Sequence, residues 1–317
     1  MTALIDVHAH FVTDRYVEEA KAAGHVHPDG MPTWPKWTPE THLALMDRCG
    51  IDRSMLSVSS PGTHFGDVDA ARSLSRAVNE YAAEVRQQHP ERFGHFASLP
   101  LPDVRGSLEE AAYALDVLGA DGLVVETNAH GAYPGDPRFK PLWEALDVRR
   151  AVVFVHPTSP PHAEDVSLGR PRPLMEFLFD SARCASDLIL NGVLTRYPGI
   201  RWIFSHAGGV LPLLADRMQL FADLFSYDAS PDGASPGWVR DRLARLWFDI
   251  AGTPFPRHVP TLVDVVGSGR LLYGSDYCWT PPSAVAAQIA SIDEAVQPPD
   301  DTWRELTARN AHRLLGR

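Results

Sequence analysis

Residues 3–11 read Ala3-Leu4-Ile5-Asp6-Val7-His8-Ala9-His10-Phe11. An apolar run, 3–7, predicts a strand, and it passes straight into His-Ala-His-Phe. A doubly wound open sheet would usually place a glycine-rich phosphate turn at that point. Seven more short apolar, β-branched or aromatic runs follow, at 55–58, 93–99, 122–125, 151–155, 200–204, 246–250 and 270–273. Most are nearly continuous in hydrophobicity, as strands covered on both faces of a parallel sheet are. Helical spacing lies between them, for instance over 69–88 (Ala70, Leu74, Ala77, Val78, Tyr81, Val85) and 108–118 (Leu108, Ala111, Ala112, Leu115, Leu118). Strand then helix, eight times, predicts an α/β fold: a (β/α)8 TIM barrel with a long loop inserted after strand 1, one domain spanning 1–317.

Composition narrows the function. Of 317 residues, 44% are hydrophobic and 22% charged, which excludes a disordered or fibrous chain. Forty acidic against 29 basic residues give a net charge of −11, arguing against nucleic acid or an anionic membrane surface as partner. Three scattered cysteines, Cys49, Cys184 and Cys278, make neither a disulfide framework nor a four-thiolate site. The first residues, MTALIDVHAHFVTD, lack the basic and apolar regions of a signal peptide, and no apolar run reaches ~18 residues. A cytoplasmic protein is expected.

Two long irregular stretches stand out, 25–39 directly after strand 1 and 157–173 after strand 5. Both are expected at the C-terminal face, where barrel enzymes keep their sites. Trp34 and Trp37 in the first could line a pocket for a flat substrate, or plug the barrel mouth.

His8 and His10 are two apart at a strand end, so period-2 geometry puts both imidazoles on one side, towards the barrel axis. With 14 histidines, chance alone supplies about 0.6 such pairs, and His25-Val26-His27 in a polar loop is one. Position separates the two. His156 ends VVFVH, His206 ends WIFSH and Asp276 ends LLYGSD, each at the same end of another strand. Five polar residues converging on one rim, at about 1–3 kcal/mol for each left unpaired, are explained together by a divalent cation. Imidazole with carboxylate suits zinc, manganese or iron.

His-x-His after strand 1, His after strand 5, SHAGG after strand 6 and GSD after strand 8 resemble the amidohydrolase superfamily over essentially the whole chain. FVHP, FSHAGGVLP and YGSDY look like its decarboxylase branch, which includes aminocarboxymuconate-semialdehyde, γ-resorcylate and 6-methylsalicylate decarboxylases. The resemblance implies that His8, His10, His156 and Asp276 hold one divalent metal, Zn2+ or alternatively Mn2+, with His206 as acid/base above it. It implies a homodimer, with Arg217 offered across the interface to a substrate carboxylate. A bland alternative pairs Arg217 with Asp216 or Asp223. Where the aminocarboxymuconate enzymes carry a substrate-binding arginine, this chain has His42-Leu43-Ala44-Leu45-Met46-Asp47. Glu126 ends strand 4, where binuclear hydrolases of the superfamily place a bridging group; it is read here either as such a bridge or as a carboxylate supporting a ligand.

The expected activity is metal-dependent, non-oxidative decarboxylation of a small aromatic, salicylate- or polyketide-like acid with an ortho hydroxyl, a carbon–carbon lyase reaction with Asp276 or His206 as proton donor. Trp34, Trp37, His64, Glu126 and Trp279 are expected around the substrate. Gly208-Gly209 is expected to open a helix and present backbone N–H groups to an anion. A lactone or cyclic-amide hydrolase is the alternative, and a barrel that binds without turnover a third. No GxSxG elbow, Walker loop or redox CxxC occurs.

Overall fold

The computed structural model describes residues 3–225 and 237–316. All eight expected strands form: β1 (Leu4–His10), β2 (Ile51–Ser57), β3 (Phe93–Ser98), β4 (Gly122–Glu126), β5 (Val152–His156), β6 (Arg201–Phe204), β7 (Trp247–Asp249) and β8 (Leu271–Leu272). They pair in chain order, every neighbour parallel. Parallel bridges from Asp6 to Tyr273 and from Ala9 to Tyr277 bring β8 back to β1, so the sheet is a TIM barrel. The predicted helices appear as Val68–Gln88, whose first turn is capped by the Asp67 carboxylate on the Ala70 N–H (2.8 Å), and Val104–Asp116. No described helix is long and apolar enough to cross a membrane.

The loop expected directly after β1 begins later. The helix Asp14–Ala22 intervenes, capped by Thr13 and seated by buried Tyr16 and Ala20, so the irregular stretch is 23–38 around a short 3-10 turn at Pro28–Gly30. A helix of barely two and a half turns offers too little periodicity to be read from the sequence.

Two apolar clusters follow from strand alternation. Val7, Met55, Phe96, Phe154, Ile203 and Leu272 fill the barrel interior, and Ala311 and Leu314 of the C-terminal helix Trp303–Leu315 join them. Residues between them, such as Val153 and Val155, pack outward under the helices. The same alternation carries the inward face to each strand's end: Val124 then Glu126, Phe154 then His156, Trp247 then Asp249, Leu272 then Gly274 and Asp276.

β1 breaks this rule. Ile5 and Val7 face inward, so strict alternation would turn His8 and His10 out of the barrel. The register with β2 shifts instead: Asp6 pairs with Ser54 and Ala9 with Leu56, three residues of β1 against two of β2. This bulge re-aims both imidazoles inward. The fully buried Asp6 carboxylate supports it, one oxygen accepting the N–H groups of His8 and Ser275, both at 3.0 Å.

Candidate active site

His8, His10, His156 and Asp276 converge at the C-terminal end of the barrel, each offering one donor atom, all four donors within 4.8 Å of one another. His8 Nε2 lies 2.9 Å from His10 Nε2 and 3.4 Å from Asp276 Oδ1, and His10 Nε2 lies 3.3 Å from the same oxygen. Donors bound at 2.0–2.2 Å to one tetrahedral or octahedral ion sit about 2.9–3.5 Å apart, so these spacings fit a cation. Two facing imidazole nitrogens with nothing between them would otherwise set lone pair against lone pair or force an extra proton into the site.

The electrostatics agree. Burial alone would lower His8, yet the Asp249 and Asp276 carboxylates carry it up to about 10. Burial, with His8 beside it, holds His10 below the usual imidazole range, and burial with His10 and His8 depresses His156 strongly. Against its own burial, hydrogen bonds from His10, His206 and His8 hold Asp276 well below the ordinary carboxylate value. Without an ion, the cluster retains a proton to balance its carboxylates. It is a place for positive charge.

Each imidazole has a polar group behind it. His10 Nδ1 is 3.1 Å from Ser57 Oγ; because that hydroxyl donates to Ala9 O, it accepts from His10, leaving Nε2 with its lone pair. His8 Nδ1 is 3.0 Å from Asp249 Oδ2, and His156 Nδ1 faces Glu126 Oε2 at 3.6 Å. The Asp276 Oδ2 oxygen meets Thr280 Oγ1 at 3.2 Å and His206 Nε2 at 3.5 Å. His206 therefore stands beside the four-donor group. Ser57, Asp249 and Thr280 went unread in the sequence, although Asp249 ends an apolar strand just as His156 does.

His206 and Ala207 adopt left-handed backbone, φ 51° and 52°, followed by Gly208 and Gly209. A Cβ on Gly209 would lie 2.1 Å from the Leu178 carbonyl oxygen, so the backbone approach admits only glycine. The amide groups expected to await an anion are used otherwise. Gly208 N–H donates to Ser205 O and Gly209 N–H to His206 O, both at 2.9 Å, and the helix starts at Leu211.

A cavity of 570 Å3 opens onto His156, His206 and Asp276, with apolar walls that include Met31, Leu174, Phe177, Trp279 and Pro281. Trp279 donates from Nε1 to Ser59 Oγ (2.7 Å), and Trp34 stands behind it, ring centroids 5.7 Å apart and outside the cavity lining, its indole N–H donating to His25 O (2.8 Å). The other expected substrate residues lie elsewhere. Trp37 packs against Phe11 and Tyr81, its indole N–H satisfied by His42 Nδ1 at 3.0 Å, because a buried tryptophan needs an acceptor and the core provides one. His64 and Glu126 line a neighbouring 580 Å3 cavity with Arg172 and His130, and Asp29 borders both cavities. Glu126 falls outside the four-donor group, and burial, with Asp29 adding to it, pushes its carboxyl well up. Arg217 is exposed on the helix Leu211–Leu224, its guanidinium 4.8 Å over the Phe221 ring, and does not line the cavity. Neither expected acidic partner holds it: Asp216 pairs with Arg240 (2.6 Å) and Asp223 accepts from Gln219 (2.7 Å).

Comparison with known proteins agrees with this geometry. The chain is 38% identical over 308 residues to the decarboxylase yanB of Aspergillus niger, covering 91% of this chain and 81% of that one. It is 34% identical over 322 residues to 6-methylsalicylic acid decarboxylase of Penicillium expansum, covering 99% and 97%. A crystal structure of an amidohydrolase II superposes with a TM-score of 0.92 at 33% identity, over 99% of this chain and 100% of that one. A dihydroxybenzoic acid decarboxylase from Polaromonas, solved with bound manganese and 2-nitroresorcinol, shares the fold at a TM-score of 0.84 and 22% identity, over 100% and 97%. The amidohydrolase family model matches residues 5–317, and with the barrel and its rim of histidines already in view, this chain belongs to the amidohydrolase family.

Proposed function

We propose that the chain is a carbon–carbon lyase: a metal-dependent, non-oxidative decarboxylase of a small aromatic acid bearing a hydroxyl ortho to the carboxylate. The observation that carries this reading is the four-donor group, two of whose members, His156 and Asp276, open onto an apolar-walled cavity with His206 alongside. His8, His10, His156 and Asp276 would hold one divalent ion, zinc by preference and manganese as the alternative. When bound, that ion supplies Lewis-acid attraction for the carboxylate and the neighbouring oxygen. Trp279 and Phe177 line the cavity and would exclude water from the ring. The His206–Asp276 pair, 3.5 Å apart, delivers a proton to the ring carbon that carries the carboxylate. The carbon–carbon bond then breaks, its electron pair returns to the ring and CO2 leaves.

Manganese in the Polaromonas structure and the 6-methylsalicylic acid of the Penicillium relative support the ion and the substrate class. Glu126 faces His156 at 3.6 Å and falls outside the four-donor group, so hydrolysis through a bridged pair has no geometric support here. The enzyme acts as a cytoplasmic single-domain barrel, 1–317, and as a homodimer. Leu213, Leu220 and Leu224, exposed at 74%, 52% and 64%, form a stripe along one helix face with Arg217 at its centre, a surface suited to a second copy. Protein loaded with Zn2+ or Mn2+ is expected to release CO2 from at least one of a panel of salicylate-type acids while binding one ion per chain. Release from none of them would refute the substrate class, and two ions per chain would favour the hydrolase.

A further inference from the structure

Asp249, the last residue of β7, is fully buried and meets the candidate centre on two sides. Its Oδ1 accepts the backbone N–H groups of His206 (3.1 Å) and Ala251 (3.0 Å). Its Oδ2 lies 3.0 Å, off-axis, from His8 Nδ1, and among the described residues neither of those two atoms makes a hydrogen bond to another group. Gly274 leaves the room for this: a Cβ there would come within 2.7 Å of His8 Cβ and 3.0 Å of Asp249 Cγ.

We propose that Asp249 is a positioning residue with two tasks, setting the nitrogen through which His8 can bind a metal and holding the left-handed turn that presents His206. The inference rests on the metal-binding reading of His8 given above. A carboxylate accepts and does not donate, so it draws a proton to His8 Nδ1 and leaves the Nε2 lone pair for the cluster, where that atom sits 3.4 Å from Asp276 Oδ1. On the other side, the left-handed backbone of His206 is disfavoured for a non-glycine residue, and its N–H is tied to the same carboxylate. One side chain thereby fixes a metal ligand and the proton-handling histidine relative to each other.

Asp249→Asn separates the tasks. The amide oxygen still accepts both backbone N–H groups, whereas the NH2 faces His8 Nδ1 as a donor and drives the ring proton to Nε2. The metal-free variant keeps both backbone contacts but loses the buried charge facing His8, so it is expected to melt between wild type and Asp249→Ala, while zinc affinity, measured by chelator competition, falls about 10–100-fold. Asp249→Ala is expected to lose both melting temperature and zinc affinity. Zinc bound by Asp249→Asn as tightly as by wild type overturns the proposal, and so does a metal-free melting temperature as low as that of the Ala variant, which would reduce Asp249 to a structural brace. Should the Asn variant not fold, 15N NMR of the zinc-loaded wild-type side chains decides: His8 must carry its proton at Nδ1, and coordination through Nδ1 refutes the assignment. If wild type binds no zinc, or His10→Ala binds it undiminished, the metal reading itself falls, an outcome distinct from failure of Asp249 alone.

Discussion

His95, at the centre of β3, makes a sharp test of the fold. It is fully buried, and among the described residues neither ring nitrogen has a hydrogen-bond partner. Burial lowers its pKa to about 4, the pull of Asp121 opposing only in part. In the unfolded chain the group titrates near 6.5. Below that pH the unfolded state binds the proton and the folded state does not, so stability rises with pH and is lost as pH falls from about 6.5 towards 4. Between pH 7 and pH 5 the loss from this residue alone is about 2 kcal/mol. His95→Leu removes the titration at similar volume and frees the core of two unsatisfied nitrogens, so its stability relative to wild type should rise by about that amount over the same interval. Denaturant unfolding of both metal-free proteins at pH 7 and pH 5 measures it. Contributions from the metal cluster are common to both chains and cancel in the difference. Parallel losses in wild type and variant would refute the reasoning, because they would mean that His95 reaches a solvent or proton partner when folded.

His42, buried and depressed to about 3, adds a second acid-labile step of the same sign, and His42→Phe should flatten the remaining slope below pH 6.5 while costing about 1–3 kcal/mol at pH 7 for the orphaned Trp37 N–H. His156→Ala should lose both bound metal and activity, whereas His206→Ala should keep near-stoichiometric metal while kcat falls by about 10²–10⁴-fold; metal analysis of the second protein separates ligand from acid/base. Asp6→Ala orphans two buried N–H groups at the β1 bulge, about 1–3 kcal/mol each, and should lower the melting temperature and the metal content together, while Asp6→Asn, which keeps an acceptor, should spare most of both. Leu220→Glu places a charge in the exposed stripe and should shift the chain to a monomer in sedimentation; an unchanged monomer–dimer distribution would remove that face as the interface.

The eight strands were legible because most are buried on both faces and so read as nearly continuous apolar runs, a purely local property of the chain. His156 and Asp276 were legible for a related reason: a polar residue closing such a run is anomalous, and alternation from Phe154 and Leu272 already points both of them inward. His8 and His10 face the axis in the structure, whereas alternation within β1 alone would have turned them outward. The extra residue between Asp6 and Ala9 is defined only against β2, so a register that depends on a neighbour 47 residues away is invisible in the strand's own pattern. The placement of Trp37, Arg217 and Glu126 was equally beyond the sequence. An indole, a guanidinium or a carboxylate near a strand end suits a pocket, a core or a supporting contact alike, and what decided among them was which partner lay within reach: His42 for Trp37, the Phe221 ring for Arg217 and His156 for Glu126. Residue type and periodicity determined the barrel and the chemistry of its rim, because both are written in local order. Which nitrogen faces the cluster, which carboxylate stands behind it and which walls enclose the cavity were decided by tertiary structure, because each depends on atoms brought together from strands far apart in the chain.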